Sequence, residues 1–279
     1  MESMKKIAIQ GQAGSFHHVA ACSVYGEDIA IVACDTFKSV FTTLHQGQAD
    51  AAIVAIENSL YGSINEVYDL LLEYPFAIVG EVEEKIHQCL ITLPGVHISD
   101  ITAVHSHPVA LSQCTNFLDQ KLPQATRYER YDTAESVTYI KRLQDPKHAA
   151  IASSASARMH NLPIAKSNIQ NHQSNSTRFF VIDAKKNNYS STNKASLVIE
   201  TTHTPGALYE ALGVFKSYNA NLTKLQSRPI QSTVWRYMFY VDIETTPQNM
   251  PKIIDSLQAK GCKTILLGMY TKNLTTVNA

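Results

Sequence analysis

The sequence has 279 residues, which suggests about two domains at roughly 150 residues each. Hydrophobic residues make up 44% and charged residues 17%, a globular balance that excludes extended disorder and a charged coiled coil. Lys and Arg number 24, as do Asp and Glu, so the zero net charge gives no general attraction to nucleic acid or to an anionic membrane surface.

Short β-type runs alternate with helical patterns over the first two thirds of the chain. Strands are predicted at 6–11, 29–34, 51–56, 101–106, 149–153 and 177–183, and helices at 17–25, at 36–44 and after Gly62, Pro108 and Asp132. This alternation predicts an α/β layered domain.

A polar stretch separates this part from the rest of the chain. AKKNNYSSTNK has no hydrophobic periodicity, and we predict a linker at 185–194 between a domain at 1–184 and a second domain at 195–279. The order of the patterns in the second domain is strand, helix, strand, strand, helix, strand. That order predicts the ferredoxin-like βαββαβ arrangement.

The five cysteines are scattered and odd in number, without a C-x-x-C pair, which argues against a disulfide framework and a zinc site. The sequence shows no apolar leader and no apolar run of about 18 residues, so we expect no secretory signal and no membrane span. The expectation is therefore a cytoplasmic protein with reduced thiols.

Two polar segments follow predicted strands near the N-terminus. GQAGSFHH has free backbone N–H groups that could hold a carboxylate or phosphate, or it is an ordinary turn with Ser15 as the helix N-cap. AIENSLYGS is placed at the carboxyl end of a strand, where open α/β sheets bind ligands, or it is a polar helix cap.

Three further segments carry polar or titratable groups. In HSHPVALSQC, His105 and His107 have no third ligand nearby, so a metal is not expected. In YDTAESV, the spacing of Asp132 and Glu135 favours a capping box. NSTRFFVI places Arg178 at a strand start, as a carboxylate binder or as a surface residue.

No G-x-S-x-G elbow and no dinucleotide or P-loop glycine motif is present. Taken alone, the residues therefore indicate a two-domain α/β protein with a small anion-binding cleft.

These segments, in this order, resemble the prephenate dehydratase family. GQAGSF resembles the family's G-x-x-G-[TS]-[FY], AIENSLYGSI its P-I-E-N-S-x-x-G-x-V, SHPVALSQC its S-H-P-x-A-L-x-Q-C, DTA its D-T-A, and NSTRF its N-x-T-R-F. TPGALYEALGVF and NLTKLQSRP resemble the P-G-A-L and N-L-T-x-[IL]-E-S-R-P segments of the ACT regulatory module that follows in this family. The resemblance extends over nearly the whole chain.

Four positions depart from the family pattern. Gln12 and Ala55 replace prolines, and Ser15 replaces a threonine while keeping its hydroxyl. Gln226 removes a carboxylate from the expected effector segment, which makes regulation less certain than the reaction.

The resemblance implies decarboxylative dehydration of prephenate to phenylpyruvate in L-phenylalanine biosynthesis, without a cofactor or metal. By resemblance, Thr177 hydrogen-bonds the departing hydroxyl, and Asn58 and Gln113 make polar contacts with the substrate. The residues expected to bind substrate are Gly14, Ser15, Phe16, Ser59, Gly62, Ser63, Ser106, His107, Arg178 and Phe179.

The resemblance also implies an architecture. The expected catalytic part has two lobes, like a type II periplasmic binding protein, with the second lobe at about 84–163. The expected ACT module binds L-phenylalanine and joins the subunits of a homodimer or homotetramer. The effector residues expected there are Gly206, Ala207, Leu208, Asn221, Leu222, Ser227 and Arg228.

Two rival functions remain open. An arogenate dehydratase would act on the aminated analogue of prephenate. The sequence does not show whether the site prefers the keto group of prephenate or the ammonium group of arogenate. A non-catalytic amino-acid sensor would keep the cleft and the ACT module, but the presence of Thr177, Asn58 and Gln113 weighs against it. RNA binding by the ferredoxin-like part is disfavoured by the zero net charge.

Overall fold

The computed structural model describes residues 4–183, 192–230 and 236–272. The first part of the chain forms, in order, β1 Lys5–Gln10, α1 Phe16–Tyr25, β2 Ile29–Cys34, α2 Phe37–His45, β3 Ala51–Asn58, β4 Gly62–Ser63, α3 Asn65–Glu73, β5 Ala77–Lys85, β6 Cys89–Ile91, β7 Ala103–Ser106, α4 Pro108–Gln113, α5 Thr115–Lys121, β8 Thr126–Glu129, α6 Thr133–Leu143, β9 His148–Ala152, α7 Ser154–His160, β10 Ile164–Lys166 and β11 Ser176–Asp183. It continues with β12 Lys194–Glu200, α8 Ala207–Ser217, β13 Asn221–Pro229, β14 Tyr237–Glu244, α9 Met250–Ala259 and β15 Lys263–Tyr270.

These elements form three sheets. The first has the order β2-β1-β3-β11-β5, with β4 paired to β3, and the second has the order β10-β6-β9-β7-β8. Strands β1, β2 and β3 run parallel, and β3 is buried on both faces over its first six residues, as expected for a strand covered by helices. This confirms the predicted α/β class.

The third sheet has the order β13-β14-β12-β15 and is antiparallel. Helices α8 and α9 cover one face, where Phe215, Ile253 and Leu257 are fully buried beside Leu197 and Ile243. The predicted βαββαβ order is therefore confirmed. Most of the predicted linker, residues 185–191, and the predicted turn at 231–233 lie outside the described residues.

The chain divides into two compact units. One comprises residues 4–64 and 83–179, and the other comprises 65–82 together with the described residues from 180 to 272. The three boundaries within these ranges fall after Ile64, between β4 and α3, then inside β5, after Val82, and inside β11, after Phe179.

Segment 65–82, which contains α3 and most of β5, packs with the C-terminal sheet inside the second unit. The Tyr240 hydroxyl donates to the Tyr68 carbonyl at 2.8 Å, and the two buried rings lie 4.7 Å apart. The Lys194 ammonium donates to both carboxylate oxygens of Glu81 at 2.8 Å, with both side chains almost completely buried. On the surface side, Arg228 of β13 forms a two-point ion pair with a carboxylate of α3.

Candidate active site

The first unit contains a cleft of about 400 Å³, into which the predicted motifs converge. The predicted site residues that line it are Ser15, Phe16, Asn58, Gly62, Ser63, His107, Gln113, Thr177 and Phe179. They come from the start of α1, the β3–β4 turn, the start of α4 and its last residue, and the start of β11. Four segments that are distant in sequence thus form one concave surface.

Strand β11 places Thr177 and Phe179 on the cleft face, because successive side chains of a strand point to opposite faces. Arg178, between them, does not line the cleft, and its guanidinium lies 3.2 Å from the carboxylate of Glu57. The predicted role of Arg178 as a carboxylate binder therefore finds no support in the position of its side chain.

The side-chain amide of Asn58 is oriented by its own turn. Its Oδ1 accepts the backbone N–H groups of Leu60 at 3.0 Å and Tyr61 at 3.2 Å, which directs Nδ2 the other way. Nδ2 donates to Oγ1 of Thr177 at 2.9 Å and to Oδ1 of Asn175 at 2.8 Å. Because Thr177 Oγ1 accepts a hydrogen bond from Asn58, the hydroxyl proton of Thr177 is available for donation into the cleft.

The first turn of α1 supplies backbone donors. Gly14 has a positive φ of 91°, and a Cβ there would lie 2.9 Å from the backbone of Ser156, so this turn requires glycine. The N–H of Gly14 already donates to the ring of His18 at 2.9 Å, so this predicted anion contact is occupied. The N–H groups of Phe16 and His17 remain at a helix end where no intrahelical acceptor exists, a suitable place for a carboxylate.

Two further predicted residues lie outside the cleft wall. The Ser59 Oγ accepts the N–H of Ser176 at 3.0 Å and joins the β3–β4 turn to β11. The fully buried Ser106 donates to the carbonyl of Ile151 at 2.6 Å and joins β7 to β9. Both hydroxyls stabilise contacts between elements that surround the site, and neither lines the cleft.

The two histidines of the cleft are neutral near pH 7. Burial lowers the pKa of His17 to about 3, and its Nε2 accepts the N–H of Ala55 at 3.2 Å. Burial also lowers the pKa of His107, whose Nδ1 accepts the N–H of Val109 at 3.3 Å. These rings therefore act as neutral polar groups and do not provide positive charge.

Asp132 is the one acidic side chain among the described residues that line the cleft. Its carboxylate accepts the N–H of Gln12 at 3.1 Å, and burial raises its pKa against the opposing effect of nearby backbone N–H groups. Asp132 is the N-cap residue of α6, as predicted. The first N–H groups of α6 are near enough to lower the pKa of its carboxyl, but none meets the geometry of a capping hydrogen bond, so the capping box predicted with Glu135 does not form. No Lys or Arg side chain lines the described cleft, so a bound anion would rely on neutral donors.

Sequence reasoning missed several cleft residues, notably Tyr61, Gln88 and Asp132. The hydroxyl of Tyr61 lies 2.5 Å from the hydroxyl of Ser112 on α4. Gln88 donates from its side-chain amide to Oε1 of Gln113 at 3.2 Å. The motif DTA contained the signal for Asp132, which we interpreted as a helix cap, whereas Gln88 had no local signal.

The second unit contains a separate cavity of about 450 Å³, lined by the predicted effector residues Gly206, Ala207 and Leu208. The other predicted effector residues, Asn221, Leu222, Ser227 and Arg228, lie on β13 and do not line this cavity. Asn221 donates to the carboxylate of Glu244 at 3.0 Å, and Arg228 pairs with Asp69.

Metal and membrane sites can be assessed for the same part of the chain. Among the described residues, no three His, Cys, Asp or Glu side chains are arranged to hold a metal ion. None of the helices in that part combines the length and the apolar composition needed to cross a membrane.

Comparison with known proteins agrees with this geometry. Residues 7–187 match the model of the family described as prephenate dehydratase. A bifunctional chorismate mutase/prephenate dehydratase of Aquifex aeolicus is 33% identical over 276 residues, which cover 98% of this chain and 75% of that protein. Arogenate dehydratase 2 of Petunia hybrida is 37% identical over 261 residues, which cover 88% of this chain and 65% of that protein.

Solved structures extend the similarity to the three-dimensional fold. A prephenate dehydratase from Arthrobacter aurescens in complex with L-Phe superposes with a TM-score of 0.85 at 28% identity, covering 95% of this chain and 89% of that one. A protein described as GqqA, a novel type of quorum quenching acylase, gives 0.86 at 27% identity, covering 96% and 98%. By the extent of the family match and of the sequence identity, this chain belongs to the prephenate dehydratase family.

Proposed function

We propose that this chain converts prephenate into phenylpyruvate, carbon dioxide and water. The observation that carries the proposal is the amide of Asn58, which donates to Oγ1 of Thr177 at 2.9 Å and so leaves the threonine proton for the substrate. Thr177 is only 8% exposed, so this hydrogen bond would form in a site shielded from bulk water.

The chemistry needs little more than this donor and a rigid binding site. The bond between the ring and its carboxylate breaks, and its electron pair enters the ring as the ring hydroxyl leaves. One proton from solvent completes the departing water, so the prephenate dianion and one proton give phenylpyruvate, carbon dioxide and water. The side chain of Thr177 is too weak an acid to transfer its proton fully, and it contributes a hydrogen bond to the developing charge. Aromatisation of the ring supplies the driving force.

The substrate is a dianion, and the cleft offers neutral donors to it. The backbone N–H groups of Phe16 and His17 begin α1, and the positive end of the helix dipole favours negative charge there. The amide of Gln113, in the last residue of α4, also lines the cleft. We assign these groups to the two carboxylates without distinguishing which group holds which carboxylate.

A second candidate substrate is arogenate, favoured by the identity of 37% to the arogenate dehydratase of Petunia hybrida. Arogenate keeps both carboxylates and carries an ammonium where prephenate has a keto group. The values of kcat/KM for the two purified substrates decide between them.

The direct test incubates the protein with prephenate and follows the absorbance of phenylpyruvate. We expect turnover in the wild type and its near loss in Thr177→Ala. Spontaneous conversion of prephenate in buffer is the blank. A wild-type rate no higher than this blank, on both prephenate and arogenate, would refute the proposed reaction. A non-catalytic amino-acid sensor would then be the better interpretation of this chain.

We also propose that the C-terminal βαββαβ unit is an ACT module through which L-phenylalanine inhibits the enzyme. The cavity beside Gly206 lies at the start of the 11-residue helix α8, where the N–H groups suit the carboxylate of an amino acid. The solved Arthrobacter aurescens relative contains L-Phe. Such inhibition requires the effector to bind one conformational state better than another.

Assembly into a homodimer or homotetramer is part of the same proposal. Strand β13 is an edge of its sheet, and Leu225 on it is 43% exposed, so its outer edge is available for a second copy of the chain. We place the enzyme in the cytoplasm, where its scattered cysteines stay reduced. Sedimentation as a monomer, combined with activity indifferent to millimolar phenylalanine, would contradict the regulatory part alone.

A further inference from the structure

Gln88 is a buried amide in the wall of the cleft to which neither the motifs nor the reaction assigned a role. It lies between β5 and β6 and is only 2% exposed. Its Nε2 donates to Oε1 of Gln113 at 3.2 Å, and both side chains line the cleft. Gln88 is therefore the residue that holds the predicted substrate contact Gln113.

The backbone of Gln88 is fixed on both sides. Its N–H donates to Oε1 of Gln170 at 3.0 Å, and its carbonyl accepts the N–H of Ile169 at 3.0 Å. The other end of the Gln170 amide lies 3.2 Å from the side-chain oxygen of Gln173. The loop before β11 thus anchors the backbone of Gln88, and the side chain of Gln88 contacts Gln113.

The side chain of Gln88 determines which end of the Gln113 amide faces the cleft. A glutamine amide has one acceptor end and one donor end, and the acceptor end of Gln113 is occupied by Gln88. The donor Nε2 is left for the cleft, where no Lys or Arg side chain of the described residues is present. A carboxylate of the substrate only accepts hydrogen bonds, so this is the orientation that it requires.

The position of the Gln88 side chain leaves a buried polar atom unsatisfied, which costs free energy that packing alone does not explain. Oε1 of Gln88 is buried without a hydrogen-bond partner among the described residues. Buried acceptors are nearly always paired, and an exception indicates that the side chain is retained for another reason. Here the gain is the fixed direction of Gln113.

We propose that Gln88 is a positioning residue that turns the donor end of Gln113 toward a carboxylate of the substrate. This inference deepens the proposed function and rests on it. Gln88 acts through Gln113, so it determines how tightly the dianion binds, and it affects the departure of the hydroxyl at Thr177 less.

The decisive variant is Gln88→Glu, compared with Gln88→Met. An ionised carboxylate only accepts, so it attracts Nε2 of Gln113 and turns the oxygen of that amide toward the substrate, and its charge also repels the dianion directly. We expect KM for prephenate at pH 8 to rise at least tenfold, with a smaller change in kcat. Methionine has a similar length and no donor, so its KM should rise less.

The pH profile separates positioning from packing. As the pH falls, the introduced carboxyl gains a proton and can again donate to Gln113, so KM of Gln88→Glu should return toward the wild-type value. KM of Gln88→Met should not recover. His87 and His107 are present in all three proteins, and Cys89 and Cys114 stay neutral because burial raises both thiol pKa values, so the difference between the profiles isolates the new group.

A double-mutant cycle that introduces no charge separates positioning of Gln113 from direct repulsion of the substrate, and it also covers the case in which the glutamate variant does not fold. If Gln88 acts only through Gln113, then Gln88→Met combined with Gln113→Met should give the same KM as Gln113→Met alone. The assignment would be overturned if the KM increases of Gln88→Met and Gln113→Met multiply in the double mutant. It would also be overturned if Gln88→Glu and Gln88→Met have equal KM values at every pH. If the wild type turns over neither prephenate nor arogenate, the proposed function fails. In that case the dissociation constant of phenylpyruvate, which keeps one carboxylate, is measured for the same variants, and the same comparison then tests the role of Gln88 independently of turnover.

Discussion

Removing the hydroxyl of Thr177 while keeping its shape is the sharpest perturbation of the reaction. Thr177→Val retains the branched side chain at a position that is only 8% exposed. Asn58 loses one acceptor but keeps Oδ1 of Asn175 at 2.8 Å, so the free energy of unfolding should fall by only about 1 kcal/mol. The effect on kcat should be far larger, because a donor to developing charge is worth about 3–4 kcal/mol, or roughly a hundredfold to a thousandfold.

The assay is the rate of phenylpyruvate formation at saturating prephenate, with unfolding in urea measured on the same preparations. Thr177→Ser, which keeps the hydroxyl, should stay within about tenfold of the wild type. Thr133→Val is a matched control, because its side chain also lines the cleft but has no step assigned to it. A kcat for Thr177→Val within threefold of the wild type, in a folded protein, would refute the role of this hydroxyl.

Three further predictions concern the second unit. Lys194→Met should lower the free energy of unfolding by about 3–5 kcal/mol in urea titration, because it removes the buried ammonium that forms an ion pair with the Glu81 carboxylate, which is only 2% exposed. Gly268→Ala should cost about 3 kcal/mol in the same assay, since its Cβ would lie 2.1 Å from a backbone oxygen of β5. Asp69→Asn removes the ion pair with Arg228 and should lower the free energy of unfolding by only about 1 kcal/mol in the same assay, because both side chains are partly exposed to water. A loss as large as that expected for Lys194→Met would contradict this reasoning.

The helices and strands of the C-terminal sheet region could be predicted closely because each segment shows a single hydrophobic period, either that of a helix or that of a strand. The helix predicted from PGALYEALGVFKSY and the one from MPKIIDSLQAKG match α8 and α9. Strand β5 escaped prediction because its sequence AIVGEVEEK contains three acidic residues. One of them, Glu81, is buried in an ion pair with Lys194, which lies 113 residues further along the chain, and no local pattern predicts such a pairing.

The candidate site was predictable in its location but less so in the direction of its side chains. The motifs identified the walls of the cleft because each follows a strand or begins a helix. Arg178 was grouped with Thr177 by adjacency, although the twofold period of a strand places neighbours on opposite faces. Gln88 could not be found from sequence, because its role depends on a side-chain contact with Gln113, 25 residues away, that only the folded chain creates.

Segment 65–82 means that the enzyme cannot be cut into two self-sufficient halves at the linker. The chain leaves the cleft wall after Ile64 and returns to it at Ile86, and residues 65–82 in between belong to the same compact unit as the C-terminal sheet. A fragment that ends near residue 184 would expose the buried ring of Tyr68 and the buried side chain of Ile78 in β5. It would also remove Lys194, which forms an ion pair with the buried carboxylate of Glu81. If the C-terminal unit has the proposed regulatory role, deregulated variants are better sought by point substitution than by truncation.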